Sequence, residues 1–158
     1  MTEDVTREAL KETVDVTEND IALLSGDIKH PSAQELVTEF MTTYGQTIRT
    51  NPVLDVPERQ LRFDLIKEEF EELEKAQSED DFIEVVDAWA DLVYVIYGAA
   101  LAHGVDLDAV LAEVQRSNMS KLGEDGKPIY RESDGKVLKG PNFFTPDVSK
   151  VLFPPKPE

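Results

Sequence analysis

Glu68, Glu69 and Glu72 make a Glu-Glu-x-x-Glu run, and Asp87 and Asp91 follow at a four-residue interval. Spacings of three and four residues bring side chains to one face of a helix. Carboxylates gathered from two facing helices offer only oxygen donors, which suit a hard divalent cation such as Mg2+, with Mn2+ as a substitute. The chain has no cysteine, so thiolate ligands, disulfides and cysteine nucleophiles are excluded. Neither His30 nor His103 follows a glutamate by three residues, so the ferritin-like di-iron pattern is absent too.

Helical geometry separates site carboxylates from solvated ones. With Glu69 set at zero, Leu65 falls at about −40°, Leu73 at about +40° and Ala76 at about −20°, so Glu69 lies within the apolar stripe. Glu72 and Glu68 flank that stripe, whereas Glu71 and Glu74 point towards water. An ionised carboxylate in a core-facing position is costly unless it is paired or bound to metal. On the next helix Glu84, Asp87 and Asp91 share one face. Val85, Trp89, Leu92, Val93, Val95 and Ile96 make that helix apolar nearly all round, as expected of a central one. The competing reading pairs Asp87 and Asp91 with Arg59 or Arg62.

Donors that suit phosphate oxygens gather where a later helix ends, at Arg116, Asn118 and Lys121. Lys136 and Lys139 form a second group further on. Basic residues at a helix C-terminus also complement the helix dipole, so this pattern is unspecific by itself. No P-loop, GxGxxG or nucleophile elbow is present.

Four helices are needed to place these groups. Ser32-Ala-Gln-Glu35 reads as a capping box opening a helix to about Tyr44, with Gly45 as its stop. Asp55-Val-Pro-Glu58 starts a second helix, which runs to about Ala76. The third begins between Ser78 and Asp80 and ends at His103, before Gly104. The fourth follows Asp106 and reaches about Met119. Beyond Gly123, two short runs, Pro128 to Arg131 and Lys136 to Lys139, flank Asp134-Gly135 and predict a small β-hairpin. The expected organisation is an acidic arm over residues 1–30, an all-α domain with its C-terminal hairpin over 31–150, and a flexible tail over 151–158.

The net charge of −17 argues against nucleic-acid binding through a broad basic surface. The most apolar stretch, Phe82 to Ala102, carries Glu84, Asp87 and Asp91, which would be costly in lipid, so a buried helix and no membrane partner are expected. The acidic N-terminus has no signal-peptide pattern. Cytoplasmic localisation is the expectation.

Taken together, Glu68-Glu69-x-x-Glu72, the Asp87-x-x-x-Asp91 run in VVDAWADLVYVIYG, and the later RSNMSKL and GKVLKGPNFFTPD resemble the MazG-like, phosphoribosyl-ATP pyrophosphohydrolase-like all-α nucleoside triphosphate pyrophosphohydrolases. The later motifs resemble a phage and bacterial subgroup in which some members act on dUTP. The resemblance covers roughly residues 32–148. It implies a four- to five-helix bundle completed by oligomerisation, as a homodimer or homotetramer. It also implies that Glu69, Glu72 and Asp91 hold Mg2+ and the triphosphate, with Glu68 or a neighbouring carboxylate as base. Water would attack the α-phosphorus to give a monophosphate and pyrophosphate. Asn118 and Lys121 would contact phosphates or sugar, and Phe40, Tyr44 and Trp89 are candidates for base stacking. One departure stands out: the family's ExxD motif has Ala88 where its glutamate belongs, and Asp87 is the candidate substitute.

Two alternatives of other classes remain from the sequence. One is a non-catalytic nucleotide sensor, for which Ala88 is the motive. The other is an acidic helical interaction protein engaging a basic partner.

Overall fold

Residues 31–155 are described in the computed structural model of the chain. The expected acidic arm over residues 1–30 and the end of the tail, residues 156–158, lie outside the described residues. Among the described residues there are five helices: α1 (Ala33–Thr43), α2 (Arg59–Ser78), α3 (Phe82–Ala102), α4 (Leu107–Met119) and α5 (Val148–Leu152).

The helix starts follow local chemistry. Ser32 accepts from Glu35 N–H while the Glu35 carboxylate accepts from Ser32 N–H, completing a capping box. Asp81 caps α3 through Ile83 and Glu84 N–H, and Asp106 caps α4 through Ala109 N–H. α2 differs. Its first residue is Arg59, and Glu58 before it makes no side-chain cap; the Glu58 carboxylate is instead paired with Arg49 at 3.1 Å.

α3 is the central element, packed against α2, α1 and α4. By length and composition it is apolar enough to cross a membrane, and one side of it meets α1 in the core. Val37 and Met41 of α1 pack there with Tyr97, Leu101 and Ala102, and Ile48 and Leu107 close the edges. Gln34 ties α1 to the start of α4 by accepting from Leu107 N–H at 3.0 Å. Tyr97 donates to Asp108 at 2.6 Å, which holds α3 against α4 and pushes the phenol up to about 12.

The loop between α1 and α2 is stitched to the end of α3. Arg49 N–H donates to Leu101 carbonyl and Val53 N–H to His103 carbonyl. The opposite side of α3 is different: Val86, Trp89, Val93 and Ile96 recur at helical spacing and are all exposed.

The expected hairpin reduces to one antiparallel bridge, Tyr130 with Val137, and no strand forms among the described residues. The loop between them turns at Gly135, which takes φ +72°, while Asp134 is held by Arg131 and caps Lys136 N–H. With only one bridged pair, neither run gains the extended ladder that a strand needs.

The expected flexible tail begins at residue 151, yet Val151 and Leu152 lie in α5, where Asp147 caps Lys150 N–H. The segment before α5 is latched onto α4. Buried Ser117 donates to Phe144 carbonyl at 2.7 Å, Phe144 N–H donates to Ser120, and Asp147 N–H donates to Glu113 at 2.7 Å. The Arg116 guanidinium and the Asp147 N–H hold the Glu113 carboxyl at about 2, against an ordinary 4.5. A depressed carboxyl stabilises the fold above its unfolded value and loses that contribution as pH falls through its folded value. The latch is therefore expected to hold down to pH 4.5 and release towards pH 2. An acid titration of the Asp147 amide proton resonance checks this; a midpoint near the ordinary carboxylate value would show the latch to be unformed.

Candidate functional site

α2 and α3 run side by side, and their facing surfaces carry the acids. Leu65, Ile66 and Leu73 are half-buried on α2. Glu69, between them on the same stripe, is half-buried as well, while Glu68, Glu72, Asp87 and Asp91 are exposed. Burial raises the Glu69 carboxyl above its ordinary value, and the negative charges of Asp91, Glu72, Glu68 and Asp87 raise it further, in that order. All five expected carboxylates thus act on one region. None is discharged by an arginine: no ion pair joins Asp87 or Asp91 to Arg59 or Arg62 among the described residues.

The five do not form one closed cage. Glu69 and Asp91 open into a cavity of about 270 Å³, walled by Phe40, Tyr94, Leu65 and Val95 and ended by Gln46 and Arg62. Glu72 and Asp87 line a separate acidic groove with Glu79, Asp81 and Glu84. Ala88 lies at the base of that groove and is buried. Among the described residues, no group of three or more acidic, His or Cys side chains is gathered tightly enough to hold a metal ion. As chemistry, the donor set fits a hard cation, since it is all oxygen and its charge is uncompensated.

The aromatic expectations divide. Phe40 lines the cavity and meets Tyr94 edge-on, with centroids 5.5 Å apart. Tyr44 lies tilted against Phe40, with ring centroids 4.5 Å apart, and is largely exposed. Trp89 is away from this cavity, on the exposed stripe of α3.

The phosphate-side candidates are also in different situations. Arg116 is engaged by Glu113 through two hydrogen bonds and lies over the Phe144 ring at 4.3 Å, so it holds the C-terminal latch. Lys139 lies over Phe143 at 4.3 Å. Asn118 is exposed on the last turn of α4. Lys121 follows that helix, and its carbonyl accepts from Gly140 N–H.

Sequence reasoning missed two polar groups of the cavity, Gln46 and Arg62. Arg62 is only 7% exposed and donates to Gln46 at 2.9 Å, and its Nε–H has no partner among the described residues. Burial lowers its proton affinity, partly offset by the charge of Glu58. The signal was available: Arg62 precedes Glu69 by seven residues, which is two helical turns on the same stripe.

A solved structure from Exiguobacterium sp. 255-15, a candidate NTP pyrophosphohydrolase, is 23% identical, with 77% of this chain and 92% of that one covered and a TM-score of 0.39. An uncharacterised protein of Acanthamoeba polyphaga mimivirus is 32% identical over 115 residues, 66% of this chain and 46% of that protein. The chain thus spans less than half the length of this relative. Residues 37–118, just over half of the chain, match the model of the phosphoribosyl-ATP pyrophosphohydrolase family. That stretch runs from α1 to the end of α4 and contains all five carboxylates. The chain belongs to the phosphoribosyl-ATP pyrophosphohydrolase family, within the all-α NTP pyrophosphohydrolase superfamily.

Proposed function

We propose that the protein is a Mg2+-dependent nucleoside triphosphate pyrophosphohydrolase that converts a ribo- or deoxynucleoside triphosphate, dUTP among the candidates, to its monophosphate and pyrophosphate. The observation that carries this reading is Glu69: a half-buried carboxyl beside Asp91, opening into an aromatic-walled cavity and burdened by four further acids. Family membership supports hydrolysis of a pyrophosphate bond in a nucleotide.

In this reading Glu69, Glu72 and Asp91 hold the cation, with Glu68 and Asp87 completing its surroundings. Bound there, Mg2+ supplies neutralising charge for the phosphates and lowers the pKa of the attacking water. The chain's own groups do the rest. Phe40 and Tyr44 take up the nucleoside end, and Asn118, Lys121 and Lys139 direct donors at the phosphates or sugar. Arg116 has a positioning role, through the latch that holds the segment after α4. Glu68 or a neighbouring carboxylate accepts the proton of water as its oxygen bonds to the α-phosphorus. The bond from that phosphorus to the bridging oxygen breaks, and pyrophosphate leaves.

The assembly belongs to the same proposal. Met41 and Val37 are the largest fully buried side chains, a thin core for so apolar a central helix. The exposed Val86, Trp89, Val93 and Ile96 fit burial against a second copy, giving a homodimer or homotetramer. The expected setting is the cytoplasm, with a nucleotide as ligand and neither nucleic acid nor membrane as partner.

A panel of deoxynucleoside triphosphates with Mg2+ tests the reading. Equal release of monophosphate and pyrophosphate is expected; release of orthophosphate, or no cleavage of any member, overturns it. Buried Ala88, standing where the family's motif has a glutamate, favours one second reading, a nucleotide sensor without turnover. That reading predicts a rise in melting temperature with nucleotide and no product.

A further inference from the structure

We infer that Arg62 and Gln46 read the nucleobase, and that they select a base with a carbonyl, rather than an amino group, at its inward edge. The inference rests on the proposed function, because the same cavity joins them to Glu69 and Asp91. Arg62 carries five N–H donors and no acceptor. It is more than nine-tenths buried, lines the cavity, and leaves Nε–H unpartnered. Gln46 accepts from Arg62 Nη2 with its carbonyl oxygen, so its own NH2 group remains as a donor. This end of the cavity therefore offers donors only.

A guanidinium has donors and no acceptor, so a group that meets this buried side chain in the cavity has to bring an acceptor. A phosphate does not suit this end. The phosphates of the proposed complex go to the cation held by Glu69 and Asp91, whereas beside Arg62 one guanidinium among apolar walls would have to offset their charge alone. A planar, uncharged ring does suit it. Phe40 and Tyr94 supply the aromatic wall, and a ring carbonyl supplies the acceptor. An amino group in the same place would set donor against donor and leave both desolvated. Gly98 fits this arrangement, since a Cβ there would stand 3.2 Å from Arg62 Nη1 and press on the guanidinium.

Two matched pairs of substrates isolate the carbonyl: dUTP against dCTP, and dITP against dATP. With the full chain and Mg2+, kcat/KM is expected to favour the carbonyl member by at least about tenfold in one pair or both, as when a polar site rejects an analogue that leaves it unpaired. In Arg62→Lys, which keeps the charge and removes Nε–H, that ratio is expected to fall to within about twofold. Gln46→Ala, at an exposed position, is expected to reduce it in the same direction and decides the matter if Arg62→Lys does not fold. Cleavage of all four substrates without discrimination, or a ratio that survives both substitutions, overturns this assignment and leaves the pyrophosphohydrolase reading standing. Cleavage of none overturns both.

Discussion

Glu69→Gln is expected to lower kcat/KM for the cleaved triphosphate by on the order of 10²–10³-fold, the scale of losing one preorganised electrostatic group at a reacting centre. In metal-free buffer the same substitution is expected to leave the melting temperature unchanged or higher. Both signs have one cause. Glu69 is half-buried, and the charges of Asp91, Glu72, Glu68 and Asp87 all oppose its own. Among the described residues nothing donates a hydrogen bond that offsets them. As a bare carboxylate it is a liability to the fold, and an amide of the same shape removes the repulsion. As a ligand for a cation it is the most enclosed oxygen donor of the five, and the amide loses that charge. Thermal melts and initial rates on the same preparations separate the two effects. Activity within tenfold of the parent, or a clear fall in the metal-free melting temperature, would assign Glu69 a structural role.

A large loss of stability is expected at Gly104. It adopts φ +72°, and an added Cβ would come within 2.2 Å of the Asn51 carbonyl oxygen. Asn51 is backbone held in place by Arg49 and Val53, whose N–H groups bond to the end of α3. Neither side of the clash can move without breaking those bonds. Gly104→Ala is therefore expected to cost about 3 kcal/mol or more, from overpacking and a strained left-handed residue together. Denaturant unfolding measures it, and a loss under about 1 kcal/mol, the range of an ordinary surface change, would refute the close approach. The damage reaches the site because the same loop carries Gln46, whose oxygen holds Arg62.

What was legible in the sequence was local. The capping box at Ser32 and Glu35, the caps at Asp81 and Asp106, and the stop at Gly104 involve neighbours along the chain, and helical geometry follows from them. The half-buried place of Glu69 was legible for the same reason, since Leu65 and Leu73 fix its face. Groups whose roles are set by distant chain were not. Glu58 looked like part of a helix start, but its carboxylate answers to Arg49. Arg116 read as a phosphate donor, and its partners, Glu113 beside it and Phe144 far along the chain, tie it to the latch. Arg62 lay on a face that sequence could compute, but its burial depends on Gln46 and Gly98 from two other segments.

Trp89 is the only tryptophan of the chain, 49% exposed in the middle of the apolar stripe on α3. Indole emission shifts to longer wavelength in water and to shorter wavelength in an apolar setting. With excitation at the red edge, where tyrosine does not absorb, the intrinsic fluorescence of this protein therefore comes from one surface, which the described residues leave exposed. Without any label, the colour of the emission reports whether something covers that stripe. Phe40 and Tyr94, in the cavity, add nothing to emission excited at the red edge of the indole, so the state of the outer face can be followed independently of that cavity.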